Sequence, residues 1–135
     1  MTTHLLDTSV LARLHVPDVR ARLDVIPAED LARCSITDLE IGFSARNAGE
    51  WDKLQSFLLT LATVAVDDAV VHRAKVVQRA LAGHGLRGRK VPDLLIAAAA
   101  ELSSQILLHY DADFEMIASV TGQAQEWVLG RGSID

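Results

Sequence analysis

Residues 3–9, Thr-His-Leu-Leu-Asp-Thr-Ser, form the most informative stretch of the sequence. A short apolar run ends at Asp7, two hydroxyl side chains follow, and Val10, Leu11 and Leu14 then recur at helical spacing. This pattern predicts a buried strand that passes directly into a helix, with Asp7 at the strand's carboxyl end. Ligands of open α/β sheets bind at that edge. Asp7 is therefore either a helix cap or part of a metal or phosphate site.

The composition indicates one soluble domain, residues 1–135, with an aliphatic core. Half of the residues are hydrophobic but only 4% are aromatic. The single cysteine, Cys34, excludes an intramolecular disulfide and a cysteine-based zinc site. Neither a signal peptide nor a membrane-spanning apolar run is recognisable, which predicts a cytoplasmic protein that does not contact a membrane. The net charge of -5 argues against a general nucleic-acid binder, but not against an enzyme that clusters its carboxylates.

Strand and helix patterns alternate along the chain. Short strands are predicted near residues 3–6, 31–35, 63–66 and 106–108, with a last edge strand near 126–129. Helical patterns lie between them, and residues 94–100 are apolar on every face, as in a buried helix. This alternation predicts an α/β fold in which helices cover both faces of a mostly parallel sheet of four to five strands.

A helix is predicted to begin at Thr37. Thr37 and Glu40 have the spacing of a capping box, and Ile36 and Ile41 occupy the positions of a hydrophobic staple. Capping alone would account for Glu40. However, Glu40 projects between Ile36 and Phe43 on the apolar side of the helix, which favours a functional carboxylate. The sequence leaves both interpretations open.

Carboxylates recur where predicted strands end and where predicted helices begin. Five of them occupy such positions: Asp7, Glu40, Asp93, Asp111 and Asp113. Because these positions share one edge of a parallel sheet, the five side chains can converge. Such a cluster needs a compensating charge, which Mg²⁺ or Mn²⁺ supplies through oxygen ligands. Without a metal, the helix dipole would explain Asp93, and turn formation would explain Asp111 and Asp113.

These motifs resemble those of the PIN domain and, more narrowly, the VapC toxins of VapBC toxin–antitoxin pairs. The matching motifs span nearly the whole chain: Leu5-Leu6-Asp7-Thr8-Ser9, Thr37-x-x-Glu40, Pro92-Asp93-x-x-Ile96-Ala97-Ala98 and Tyr110-Asp111-x-Asp113-Phe114. The resemblance implies a PIN-like three-layer fold and a Mg²⁺- or Mn²⁺-dependent endoribonuclease that cleaves RNA phosphodiester bonds by means of a metal-activated water. It also implies a homodimer, held inactive by a VapB-like antitoxin that docks over the cleft.

The resemblance assigns roles to the acidic residues. It gives Asp7, Glu40, Asp93 and Asp111 as a catalytic quartet, with Asp113 as an accessory acid. Asp7 and Asp93 are expected to be direct metal ligands. Asp111 and Glu40 are expected to bind through water or to hold a second ion, and one of them to orient the attacking water. The expected metal ligands are thus Asp7, Asp93 and Asp111.

Two hydroxyls and one histidine also lie in these motifs. Thr8 or Ser9 resembles the hydroxyl residue that usually follows the first aspartate, where it would contact substrate. His109 departs from the family pattern, because many relatives have Thr two residues before the aspartate that corresponds to Asp111. This departure puts a hydroxyl contact in doubt, not the metal site, and His109 is not expected to be catalytic.

A basic, glycine-rich segment precedes Asp93. Arg87, Arg89 and Lys90 either guide a phosphate backbone toward the metal or form a solvated loop. Residues 83–88 match the Gly-x-Gly-x-x-Gly pattern of dinucleotide-binding proteins. That motif requires a preceding strand and a following helix, whereas a helix precedes it here, so this interpretation is rejected.

Two other classes of function fit parts of the sequence. A HAD-type phosphohydrolase needs Asp-x-Asp directly after the first strand, where this chain has Asp7-Thr8-Ser9. A non-catalytic PIN-like module that only binds protein or RNA would be expected to lack some of the acids, and none is missing. The main prediction is therefore the metal-dependent ribonuclease, although the sequence does not indicate which RNA is cut.

Overall fold

A five-stranded parallel sheet forms the centre of the structure, a computed structural model that describes residues 1–86 and 90–134. Its strands are β1 (His4–Leu6), β2 (Leu31–Cys34), β3 (Ala62–Val64), β4 (Ile106–His109) and β5 (Gln125–Trp127). They lie in the order β3-β2-β1-β4-β5, and each neighbouring pair is parallel. The predicted sheet is confirmed, with five strands and with boundaries shifted by one or two residues.

Helices follow the strands and cover both faces of the sheet. In the described ranges they are α1 (Thr8–Leu11), α2 (Pro17–Asp24), α3 (Ser35–Phe43), α4 (Ala48–Leu58), α5 (Asp68–Gly83), α6 (Val91–Leu102) and α7 (Asp113–Thr121). A 3₁₀ turn, Ala28–Asp30, precedes β2. None of these helices combines the length and the apolar character needed to cross a bilayer.

Two hydrophobic clusters pack against the sheet, one on each face. Two neighbouring residues of β1 point to opposite faces and belong to different clusters. Leu5 packs with α5, α6 and α7, whereas Leu6 packs with α1, α2 and the end of α4. Residues 97–100 of α6 are all buried, as expected for a helix that is apolar all round. Burial on both faces explains why the central strands read as continuous apolar runs.

The start of α3 differs from the prediction. The helix begins at Ser35, its N-cap is Cys34, and no side chain caps it. Thr37 is fully buried within the helix, so the predicted capping box is wrong. The physical reason is that β2 passes directly into α3, so the helix begins two residues before Thr37. The side chains of Thr37 and Glu40 instead contact Thr8 of α1.

Candidate active site

The site forms where the strand order reverses. The chain builds β1, β2 and β3 towards one edge and then returns to place β4 and β5 on the other side of β1. The crevice beside the carboxyl ends of β1 and β4 is therefore the switch point at which open α/β sheets bind ligands. The Asp7 N–H donates to the Leu108 carbonyl over 2.9 Å and holds the residue after β1 against β4.

Three carboxylates meet in this crevice. One oxygen each of Asp93, Asp111 and Asp113 lies within 4.8 Å of the other two. Asp93 stands in the first turn of α6, and its Oδ2 is buried without a hydrogen-bond partner among the described residues. Asp111 Oδ1 accepts the Asp113 N–H over 2.9 Å, which forms a tight turn into α7. A buried carboxylate oxygen without a donor is costly, and a cation in this group would remove that cost.

Asp7 adjoins the three carboxylates and is 3% exposed. Its Oδ2 accepts the Ser9 N–H over 2.9 Å, so Asp7 does cap α1 as the simpler interpretation predicted. Burial raises the pKa of Asp7 to about 6, and the charge of Glu40 contributes. Burial also raises the pKa of Asp93, and the carboxylates of Asp7 and Asp111 raise it further. The carboxylates of Asp7, Asp93 and Asp111 therefore lie close enough to interact electrostatically.

Glu40 joins the site through a hydroxyl. Thr8 Oγ1 donates to Glu40 Oε1 over 2.6 Å, and Thr37 Oγ1 lies 3.2 Å from the same hydroxyl. This contact connects α1 to α3 and places the Glu40 carboxylate close enough to Asp7 to raise its pKa. The structure excludes the capping interpretation of Glu40, because no side chain caps α3.

The other predicted residues have different surroundings. Ser9 Oγ accepts the Tyr110 N–H over 2.8 Å and thus connects α1 to the segment after β4. Lys90 is exposed immediately before α6, and its charge acts to lower the pKa of Asp93. Arg87 and Arg89 lie outside the described residues.

The sequence did not indicate the contacts that His109 makes at the end of β4. His109 is fully buried, and its Nδ1 accepts the Asp111 N–H over 3.1 Å. The signal in the sequence was a polar residue that ends an apolar strand two positions before an aspartate. Its contact with a backbone amide could not be read from that pattern.

An apolar groove of about 480 Å³ runs between α1, α3 and α4. Thr8, Glu40 and Lys53 contribute polar atoms to it, so the groove continues from the acidic crevice. Most of its lining is apolar: Leu11, Leu14, Ile41, Leu54, Phe57 and Leu58. The sequence did not predict this groove.

The donor set determines what the crevice can hold. Its ligand atoms are carboxylate oxygens, with neither nitrogen nor sulfur among the three grouped side chains. Such a set suits a hard divalent cation. The unpartnered Asp93 oxygen and the raised pKa values of Asp7 and Asp93 fit the same conclusion.

The fold and the acidic crevice define the class of the PIN-domain proteins, and the family model described as PIN domain matches residues 4–120. The chain is similar to Ribonuclease VapC51 of Mycobacterium tuberculosis, with 48% identity over 133 residues that cover 98% of this chain and 97% of the relative. The chain therefore belongs to the VapC ribonucleases of the PIN domain family.

Solved structures share the fold. DNA-bound VapBC from Salmonella typhimurium matches with a TM-score of 0.78 and 17% identity, over 96% of this chain and 100% of that chain. VapBC-5 of Mycobacterium tuberculosis, a member of the VapBC family of toxin-antitoxin systems, matches with a TM-score of 0.63 and 25% identity, over 94% and 98% of the two chains. The prediction of a PIN-like α/β fold is confirmed.

Proposed function

We propose that the chain is a Mg²⁺- or Mn²⁺-dependent endoribonuclease that acts as the toxin of a toxin–antitoxin pair. The observation that carries this proposal is the grouping of Asp93, Asp111 and Asp113 within 4.8 Å, beside the buried Asp7. Membership of the VapC ribonucleases supports RNA as the substrate. Hydrolysis of its phosphodiester bonds is the reaction that the acidic crevice suits.

The carboxylates would hold the cation. Asp93, Asp111 and Asp113 offer oxygens spaced for one ion, and Asp7 approaches from β1 as a further ligand. The ligand set first inferred, Asp7, Asp93 and Asp111, is thus widened to include Asp113. When bound, such an ion supplies the positive charge that activates a water near neutral pH and neutralises phosphoryl oxygens.

The remaining polar residues would act on water and substrate. Thr8 fixes the Glu40 carboxylate over 2.6 Å at the rim of the groove, from which Glu40 can orient the attacking water and accept its proton. Ser9 holds the Tyr110 backbone beside the crevice. Lys90 is exposed and close enough to influence Asp93, so its ammonium can bind the RNA phosphate. Arg87 and Arg89 stay predicted phosphate-binding residues.

The test is metal-dependent cleavage of single-stranded RNA. Asp7→Asn should slow cleavage at least about 100-fold, because a charged group in a water-excluded site is worth several kcal/mol in the transition state. The matched control is Asp67→Asn, since Asp67 is an exposed N-cap of α5 and Asn keeps the acceptor for Val70 N–H. Wild type and control should cleave with Mg²⁺ or Mn²⁺ and stop in EDTA. Equal cleavage by wild type and Asp7→Asn would refute the catalytic assignment.

The proposed partner is a VapB-like antitoxin bound in the apolar groove. The solved VapBC structures with this fold support such a partner. The groove supports it too, because it is largely apolar and reaches Glu40, and because α4 beside it carries the half-exposed side chains of Trp51 and Phe57. The product of a small gene immediately upstream should suppress RNA cleavage when co-expressed. Undiminished cleavage in a stable complex would contradict this placement.

A homodimer is the second proposed assembly. Phe43 is 92% exposed on α3, and Leu39 on the same helix is also exposed. Val91 is exposed at the start of α6, which contacts α3. Apolar side chains exposed together are typical of interaction surfaces. Sedimentation equilibrium should give twice the mass of the chain, and a monomer at micromolar concentration would contradict the dimer.

The two competing functions have less support. A HAD-type phosphohydrolase lacks its Asp-x-Asp after β1, and the family match is to the PIN domain. A non-catalytic module has no need for a buried, unpartnered carboxylate oxygen at the switch point. Metal-dependent RNA cleavage that requires Asp7 would exclude both.

A further inference from the structure

We propose that His109 is a positioning residue that fixes the turn on which Asp111 and Asp113 stand, through the acceptor that its Nδ1 offers to the Asp111 N–H. This inference rests on the proposed function and deepens it. It concerns how the carboxylates are held in place before any ion binds, and it gives His109 no contact with substrate.

The imidazole ring of His109 is held on both sides. Its centroid lies 5.1 Å from that of Phe114 in α7 and 5.0 Å from that of Trp127 in β5. The side chain is fully buried at the end of β4. A ring packed in this way has one orientation, so its nitrogens point at fixed partners.

Those partners define the tautomer. A backbone N–H can only donate, so Nδ1 must accept from Asp111 over 3.1 Å. The neutral ring then carries its proton on Nε2, which donates to Gln125 Oε1 over 2.5 Å. The Asp111 N–H thus fixes the tautomer, and Gln125 in β5 accepts from the Nε2–H of that tautomer.

The hydrogen bonds continue into the carboxylate group. Gln125 orients His109, His109 holds the Asp111 backbone, and Asp111 Oδ1 accepts the Asp113 N–H over 2.9 Å. Both carboxylates therefore face Asp93 from a turn whose first amide is anchored by the histidine. Without that acceptor, the Asp111 amide would be left without its partner and the turn would be free to rotate away from Asp93. Groups that orient metal ligands in this way typically contribute about 10- to 100-fold to metal affinity.

Two substitutions separate positioning from packing. In His109→Asn the amide oxygen occupies the place of Nδ1 and can still accept the Asp111 N–H, although the side chain is smaller. In His109→Gln the volume is closer to that of histidine and a donor still reaches Gln125, but no acceptor lies at the Nδ1 position. Positioning therefore favours Asn, whereas packing alone favours Gln.

The measurement is Mn²⁺ affinity of the purified protein by electron paramagnetic resonance, with thermal unfolding in EDTA to confirm folding. His109→Asn should keep most of the wild-type affinity, and His109→Gln should lose about 10- to 100-fold. Equal losses, or a larger loss in His109→Asn, would overturn the inference while leaving the proposed function intact. Wild type without Mn²⁺ affinity would overturn the proposed function and this inference together.

A second measurement needs no substitution. The ¹⁵N resonances of the His109 ring, recorded on metal-free wild type at neutral pH, report which nitrogen carries the proton. We expect a protonated Nε2 and an unprotonated Nδ1. A proton on Nδ1 would overturn the inference, because Nδ1 could not then accept the Asp111 N–H.

Discussion

Asparagine in place of Asp7 should make the metal-free protein more stable while it removes activity. Asp7 is 3% exposed and lies near the Glu40 carboxylate, so at neutral pH its charge is buried close to another carboxylate. Asparagine is neutral and of the same shape. Its side-chain oxygen can still accept the Ser9 N–H, so the cap of α1 is retained.

The size of the effect follows from the pKa of Asp7. Its rise from 3.8 to about 6 corresponds to about 3 kcal/mol, at about 1.4 kcal/mol for each pKa unit. A carboxyl whose pKa is raised in the folded state contributes its full stabilisation only at pH values below its pKa in the unfolded chain. This contribution to the free energy of unfolding is lost as the pH rises through about 6, the pKa of Asp7 in the folded state. Asp7→Asn should therefore gain about 3 kcal/mol over wild type at pH 8 and almost nothing below about pH 4.

Urea unfolding in EDTA at these two pH values measures the difference, and at pH 8 the melting temperature should rise by about 10 °C. Asp67→Asn is the matched control, because Asp67 is exposed and should show no such gain. Added Mn²⁺ should then reverse the order of stabilities, since ligand that binds only the folded wild type stabilises it by mass action. An Asp7→Asn variant no more stable than wild type at pH 8 would refute this reasoning.

Two further predictions concern α1 and α3. Thr8→Val should slow RNA cleavage about 10- to 100-fold, because the hydrogen bond to the Glu40 carboxylate is worth about 1.5–3 kcal/mol. Thr8→Ser keeps the hydroxyl and should cleave at the wild-type rate. Full activity in the Val variant would contradict the role of this bond. Gly42→Ala should lower the free energy of unfolding by about 1–3 kcal/mol with Mn²⁺ affinity unchanged, because the added Cβ would lie 2.7 Å from Trp51 Nε1. Gly83→Ala, in open space, is its control, and equal stability of both variants would contradict that packing argument.

Most of the fold could be predicted because its signals are local. The central strands can be identified because each is a short apolar run that is followed by Asp or by a segment with helical periodicity. These strands are continuously apolar because both of their faces are buried, as at Leu5 and Leu6. The start of α3 could not be predicted, although Thr37 and Glu40 have the capping-box spacing. Strand β2 ends at Cys34 and passes directly into α3. The end of β2 is set by its pairing with β1 and β3, which the capping-box spacing does not encode.

The same division applies to the site. Asp7, Asp93 and Asp111 could be found because each stands where a strand ends or a helix begins. Asp113 could be predicted in the same way, although its distance to Asp93 depends on the turn before α7. The proposed role of His109 depends on a partner 16 residues away, Gln125, and that contact leaves no pattern in the sequence.

Anomalous diffraction from crystals soaked in Mn²⁺ tests the central claim most directly, because it locates the ion without reference to activity. We expect one strong peak in the crevice at the carboxyl ends of β1 and β4, within coordination distance of Asp93 and of at least one of Asp7, Asp111 and Asp113. A soaked crystal with these carboxylates fully resolved and no peak among them would contradict the claim that a divalent cation binds where these acids converge.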